Sequence, residues 1–326
     1  MKDAAKGAVA VTGANGFIGT ALCRALLARG ERVVALVRDP GASLPKGVER
    51  RVVGPIGPDT GWEGMLKGCD RLVHLAARVH VQWDGAAEAL TEFRRVNTHG
   101  TRCLAVAAAA QGVRRFVFLS SIKALGDGKA DGTPYTDADE PKPADAYGRS
   151  KADGEDALWQ VAGPKGMEPV ALRPPLVYGP GVRGNFLTLL MACDTPYPLP
   201  VGGIGNRRSL LGLDNLVSGI LFVLDHPGAA GGRFLIRDGE DLSTTDLVAR
   251  TRRALGRPAR IWPAPIGPLR ALGAIGLFRG AVQRMAGSLT ADDSGLRTLG
   301  WQPPMTVDQG LARVAAWWKS GWRQPA

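Results

Sequence analysis

The sequence predicts an α/β chain: a doubly wound parallel sheet followed by a smaller C-terminal lobe. Three observations carry this. Short β-branched runs alternate with helical stretches through the first half. A glycine-rich turn separates the first strand from the first helix. Beyond about residue 174 the alternation loosens into Pro/Gly-rich segments such as Pro174–Gly184 and Pro196–Gly205. Strands alternating with helices at this spacing make βαβ units, whose parallel sheet is covered on both faces.

In chain order, Ala8–Thr12 reads as a strand, Phe17–Arg29 as a helix and Arg32–Arg38 as a second strand, followed by a weaker run at Val48–Val53. Arg71–Ala76 is apolar and strand-like, the alanine-rich Ala86–Gln111 reads as one long helix, and Arg115–Ser120 returns to strand. Tyr147–Val161 reads as a helix and Pro169–Arg173 as a strand. Short helices follow at Asp214–Leu224, Thr244–Leu255 and Val307–Lys319. The organisation expected is a dinucleotide-binding unit over 1–173 and a mainly substrate-binding lobe over 174–326, with some lobe elements returning to the first unit.

Composition excludes several classes. The 326 residues carry 41 basic and 30 acidic side chains, a formal charge of +11, with 45% hydrophobic and 22% charged content. That is ordinary for a globular chain, whereas the 44 glycines stand well above the usual ~7%. The four cysteines (Cys23, Cys69, Cys103, Cys193) form no CxxC, and the four histidines show no ligand spacing, so reduced thiols and no metal are expected. No run reaches the ~20 uncharged apolar residues of a membrane span. The nearest, Ile266 to Met285, is interrupted by Arg270, Arg279 and Arg284 and reads as lobe helix. The expectation is a soluble, cytoplasmic protein. The arginines are scattered across both halves rather than clustered on one element, which argues against nucleic acid as a partner.

The turn Thr12-Gly13-Ala14-Asn15-Gly16-Phe17-Ile18-Gly19 lies between strand and helix, where a dinucleotide needs glycines for a tight turn, a close pyrophosphate and helix–strand packing. The helix start offers free N–H groups and a positive dipole end to phosphate. The second strand ends Leu36-Val37-Arg38-Asp39. An acid at that end would select NAD, whereas Arg38 suits a 2′-phosphate, so NADP is favoured over NAD.

Tyr147 and Lys151 stand four residues apart, on one face of a helix. An ammonium near the phenol favours phenolate and is expected to bring the tyrosine pKa down from ~10. A phenol so tuned exchanges a proton with an alcohol or carbonyl. Ser120 and Ser121 end the preceding strand, at the sheet edge where open α/β folds place ligand chemistry.

Together with Val73-His74-Leu75-Ala76-Ala77, Val96-Asn97, Phe118-Leu119-Ser120-Ser121 and Leu172 to Pro180, these motifs make the chain resemble the extended short-chain dehydrogenase/reductase family. Its nucleotide-sugar epimerase/dehydratase branch is the nearest match, and the likeness covers nearly the whole chain. The resemblance implies a Rossmann-type doubly wound parallel sheet with a smaller C-terminal substrate-binding lobe. It implies catalysis by Ser121, Tyr147 and Lys151, with Asn97 supporting the lysine through a water. Cofactor contacts are implied at Gly13, Asn15, Gly16, Phe17, Ile18, Gly19, Arg38, Leu75, Ala76, Ala77, Tyr147, Lys151 and Pro174, with Lys151 on the nicotinamide ribose. Substrate contacts are implied at Ser121, Lys123, Asn185 and Arg208, with Arg284 a second candidate for the diphosphate. Gly54-Pro55-Ile56 stands where the family usually has an acid for adenine, so adenine recognition is expected to differ. A homodimer through the two long helices is implied as well.

Within the family, Ser121-Ile122-Lys123, Asn206 to Ser209 and Asp241 to Asp246 look most like bacterial enzymes of surface-polysaccharide pathways, several of which interconvert 4-keto and 4-hydroxy sugars on UDP. The leading expectation is NAD(P)-dependent reduction at C4 of a nucleotide sugar, with a 4-epimerase as the alternative. A reductase of a non-sugar ketone is a further alternative, against which Arg208 and Asn185 argue. A redox-sensing binding protein on the same fold is the other, against which the presence of Ser121, Tyr147 and Lys151 together argues.

Overall fold

A computed structural model describes residues 7–79, 86–163, 166–263 and 287–321. The first half runs β1 (Ala8–Thr12), α1 (Phe17–Ala28), β2 (Val33–Val37), β3 (Glu49–Val52), β4 (Cys69–His74), α2 (Ala86–Arg94), a π-helical turn (Arg95–Gly100), α3 (Thr101–Ala110), β5 (Arg115–Leu119), α4 (Ala146–Ala162) and β6 (Glu168–Arg173). The second half runs β7 (Leu176–Tyr178), α5 (Gly184–Cys193), β8 (Leu199–Gly202), β9 (Arg208–Gly212), α6 (Leu213–Asp225), β10 (Arg233–Leu235), β11 (Asp241–Leu242), α7 (Thr244–Ala254), β12 (Ile261–Pro263), α8 (Ser294–Thr298) and α9 (Val307–Lys319).

Seven strands form one sheet in the order β10-β6-β5-β4-β1-β2-β3. Every pairing in it is parallel. This is the doubly wound sheet that the sequence predicts. Alternate residues of each strand feed opposite faces. Val9, Val11, Val73 and Val117 pack with Leu22 and Leu26 of α1 and Leu216 and Ile220 of α6. Ala8, Ala10, Leu72 and Phe116 pack with Leu104 and Ala108 of α3 and Leu158 of α4. A third cluster, including Tyr178, Phe186, Leu190, Leu247, Leu311 and Val314, forms the core of the lobe.

One feature departs from the element-by-element expectation. The helix expected to run unbroken over Ala86–Gln111 contains the π-helical turn Arg95–Gly100, with Asn97 buried inside it. Periodicity cannot register a single wide turn, because the apolar stripe continues on either side of it. The chain also returns from the second half to the sheet: β10 pairs with β6, and α6 packs on the same core as α1. Among the described residues no helix is long and apolar enough to cross a membrane. The run Ile266–Met285, with Arg284, lies outside the described residues.

Candidate active site

The glycine turn leaves β1 and enters α1 with no room for side chains. Gly13 has φ +67°, and a Cβ there would lie 2.9 Å from the Ala76 backbone nitrogen. A Cβ on Gly19 would lie 2.1 Å from the Gly13 carbonyl oxygen. Both contacts are with backbone, which cannot yield, so turn, helix start and the β4 exit at Leu75-Ala76-Ala77 are held together by the absence of two methyl groups. Gly16 caps α1 with no side-chain hydrogen bond. The N–H groups of Phe17, Ile18 and Gly19 therefore form a first turn without intrahelical acceptors, beside the exposed Asn15. Pro174 is buried just past β6, where its carbonyl accepts the Ile122 N–H at 3.0 Å. Arg38 is exposed immediately beyond β2. This cradle, which an added Cβ would fill, fits a dinucleotide: the N–H groups of the turn suit a pyrophosphate.

The first turn of α4 carries the candidate acid–base group. Asp145 caps the helix by accepting the Gly148 N–H at 2.7 Å. Two residues on, the Tyr147 hydroxyl is hydrogen-bonded to Ser121. Ser121 in turn accepts the Lys123 N–H at 3.2 Å and so starts the short turn Ile122–Ala124. Ser120 points elsewhere, and its hydroxyl donates to Glu155. Of the two serines, Ser121 is the one that reaches the tyrosine.

The electrostatics differ from the expectation that Lys151 lowers the Tyr147 pKa. Tyr147 is half-buried as a residue with its hydroxyl enclosed, and burial pushes that hydroxyl up to about 12, against the opposing Ser121 hydrogen bond. Lys151 is 2% exposed, and its ammonium lies 4.1 Å from the centroid of the Phe118 ring. Burial pushes it down to about 7, with the Glu155 carboxylate working the other way. Desolvation, which penalises whichever form is charged, outweighs the attraction expected between the two.

Asn97 is fully engaged, though differently from the water-mediated link expected to Lys151. Its amide donates to the Arg78 carbonyl at 3.0 Å and to Ser150 Oγ at 2.9 Å, and its oxygen accepts the Arg78 N–H at 2.8 Å. It fastens the π-helical turn to α4. Lys123, expected at the substrate, has its ammonium paired with Asp127 and with Asp145, the latter at 3.0 Å. It braces the cap of α4, and two carboxylates already answer its charge.

On the lobe side, Asn185 is exposed in the first turn of α5. Arg208 opens β9 half-buried, its backbone bridged to Leu242 on one side and Leu289 on the other. Arg284 is outside the described residues. Two residues given no role from sequence are central here. His74 lies between Thr12 and Thr101. Glu155 lies a further four residues beyond Lys151, a spacing that already placed it on the Tyr147 face.

The profile of the NAD dependent epimerase/dehydratase family matches residues 9–236. The chain is 40% identical over 315 residues to the UDP-glucose 4-epimerase of Vibrio cholerae, covering 94% of each. It is 30% identical over 279 residues to the ceramide reductase of Caulobacter vibrioides, covering 84% of this chain and 79% of that one. Among solved structures, MoeE5 in complex with UDP-glucose and NAD matches with a TM-score of 0.77 at 26% identity, covering 96% of this chain and 99% of that one.

The buried lysine has a measurable signature. An unfolded lysine titrates near ~10.4. Between about pH 7 and 10 the unfolded chain holds a proton at Lys151 that the folded chain lacks. Stability from this group therefore rises with pH across that window, and below it the cost of burying the cation is fully present. The Tm of Lys151→Met is expected to follow pH less steeply between 7 and 9.5 than that of the parent. Parallel Tm curves would show that Lys151 is not a buried cation.

Proposed function

This chain is an enzyme of the NAD dependent epimerase/dehydratase family, and from that premise we propose that it acts at C4 of a UDP-linked hexose or N-acetylhexosamine as a 4-epimerase. The observation that carries the chemistry is the hydrogen-bonded pair of Ser121 and Tyr147 hydroxyls, one helical turn from the enclosed Lys151. The sequence ranks simple 4-keto reduction first. The 40% identity to a 4-epimerase over nearly the whole chain moves the balance to epimerisation.

A nicotinamide dinucleotide held at the turn of Gly13, Gly16 and Gly19 would supply a reversible hydride acceptor. Tyr147 receives the proton of the C4 hydroxyl as the hydride leaves C4, so a C4 ketone forms. Ser121 holds that oxygen by a hydrogen bond while its charge changes. Tyr147 gives the proton back when hydride returns to the opposite face of C4, and the sugar's configuration is inverted. Because burial holds the Tyr147 hydroxyl protonated at neutral pH, it needs positive charge beside it to act as a base. Lys151, in its protonated form, is the chain's own source of that charge. Arg208 takes the diphosphate with its forked donors, Asn185 sits by the nucleotide sugar, and Arg284 is a second diphosphate candidate.

Reductase and epimerase share every residue named here, and the 30% identity to a reductase keeps the first of these as the second reading. Cofactor economy separates them. An epimerase regenerates its cofactor at each turnover, so the purified protein should equilibrate UDP-glucose with UDP-galactose, or the N-acetyl pair, without net NAD(P)H change. Stoichiometric consumption of NAD(P)H with a 4-keto sugar would instead establish the reductase. In either case Tyr147→Phe should lower kcat by ~10²-fold or more while dinucleotide affinity holds; a variant with retained turnover would remove Tyr147 from the mechanism.

NADP is the dinucleotide we favour, on Arg38 alone. Removing a charged hydrogen bond of ~1.5–3 kcal/mol predicts that Arg38→Ala weakens NADP by ~10-fold or more and leaves NAD nearly unchanged. Equal losses for both cofactors would take Arg38 off the 2′-phosphate.

A further inference from the structure

One buried carboxylate joins the three neighbouring strand ends to the helix of Tyr147 and Lys151. Glu155 is 1% exposed. Its Oε1 accepts from Ser120, at the end of β5, and from Arg173 Nε, at the end of β6, the latter at 3.0 Å. Its Oε2 accepts from Arg173 Nη2 at 2.6 Å and pairs with Arg233 Nε of β10 at 3.3 Å. Arg233 is itself held over the Trp159 ring at 4.3 Å and paired with Asp156. The strands β10, β6 and β5 are adjacent in the sheet, so a single side chain of α4 gathers one group from each.

Tyr147, Lys151 and Glu155 follow one another at four-residue steps, which places them along one face of α4. The surroundings of the Lys151 ammonium can be named element by element. From β5 it meets the Phe118 ring. From β4 it faces His74, which burial and the lysine itself hold neutral. From its own helix it has Tyr147, protonated, and Glu155. Among these groups Glu155 is the one negative charge.

We propose that Glu155 is a positioning residue with two effects: it locks the β5 end that carries Ser121 to the helix that carries Tyr147, and its charge holds the Lys151 ammonium in its buried site. This rests on the reading of Ser121, Tyr147 and Lys151 as the acid–base set. Ser120 and Ser121 are consecutive, so anchoring the first on Glu155 fixes the backbone from which the second meets Tyr147. The alternative is that Glu155 only neutralises the buried Arg173, since a buried ion pair stripped of one partner leaves a costly uncompensated charge.

The test reads Lys151 directly, in the full-length chain without cofactor, by the pH titration of lysine Cε resonances in ¹³C NMR, with the Lys151 signal assigned by its loss in Lys151→Met. Three chains are compared: the parent, Glu155→Gln, and Glu155→Gln with Arg173→Met. The double variant removes both members of the buried Glu155–Arg173 pair, and is expected to fold where the single one fails. The parent midpoint is expected near 7. In both variants it is expected to fall by about one pH unit, the size of a nearby opposite charge. A double variant with the parent midpoint would overturn the proposal and leave Glu155 as the partner of Arg173. Because no turnover enters this measurement, failure of the proposed sugar chemistry would show separately, as a parent protein inactive on UDP-sugars with an intact titration.

Discussion

The hydrogen bond from Thr12 to His74, at 2.6 Å, is the contact on which the rest of the site depends. Thr12 Oγ1 also accepts the Leu75 and Ala76 N–H groups, so its own proton goes to His74 Nδ1. That leaves the proton on Nε2, facing Thr101 Oγ1 at 3.1 Å, and the Thr101 hydroxyl donates onward to the Asn97 carbonyl. The Asn97 amide continues to Ser150, whose hydroxyl donates to the Tyr147 carbonyl. The end of β1, the exit of β4, the π-helical turn and the helix bearing Tyr147 and Lys151 are thus one directed chain. A charged His74 would donate from both nitrogens and break its sense at the first link. Burial and Lys151 push His74 down to about 3, which preserves the chain at every physiological pH.

The π-helical turn has its purpose in this network. It brings the Asn97 amide to Ser150 and the Thr98 hydroxyl to the Ser150 carbonyl at 3.0 Å, two grips from consecutive residues on one turn of α4. Phe118 plays a related part on the sheet side: His74 stacks with it at a centroid separation of 5.7 Å, and Lys151 rests on the same ring. An aromatic ring gives an ammonium a seat that needs no counter-carboxylate in contact. Burial pushes Lys151 down to about 7 against the Glu155 charge, and the ring lies on the side of the ammonium that faces the sheet.

The fold and the cradle were legible in the sequence because both are written in local patterns. Apolar runs bounded by turns announce strands, and glycines 13, 16 and 19 announce a backbone that must approach something closely. The π-helical turn was illegible because a helix read at 3.6 residues per turn stays amphipathic across it. Lys123 illustrates a different limit. Asp127 is four residues away but Asp145 is 22, and only the fold of Ile122–Ala124 against the start of α4 turns them both onto its ammonium. The ranking of Ser121 over Ser120 was reachable by resemblance alone; the physical reason, Glu155 holding the first serine, needs three strands and a helix in place.

The basic balance of the chain changes meaning once its arginines are located. Arg71, Arg115, Arg173 and Arg252 are among the largest fully buried side chains. Arg71 and Arg115 are register partners in adjacent strands. The first pairs with Glu31, Asp70 and Asp225, and the second with Glu168 and the Val223 and His226 carbonyls. They tie the sheet edge opposite the glycine turn to α6 and the residues that follow it. Arg252 donates to the Thr195, Tyr197 and Pro258 carbonyls, and among the described residues it braces the lobe through carbonyls rather than carboxylates. Guanidinium suits these places because its five donors in a fixed plane satisfy several acceptors from different segments at once. These four arginines are internal fasteners, so they contribute to formal charge without contributing to a binding surface.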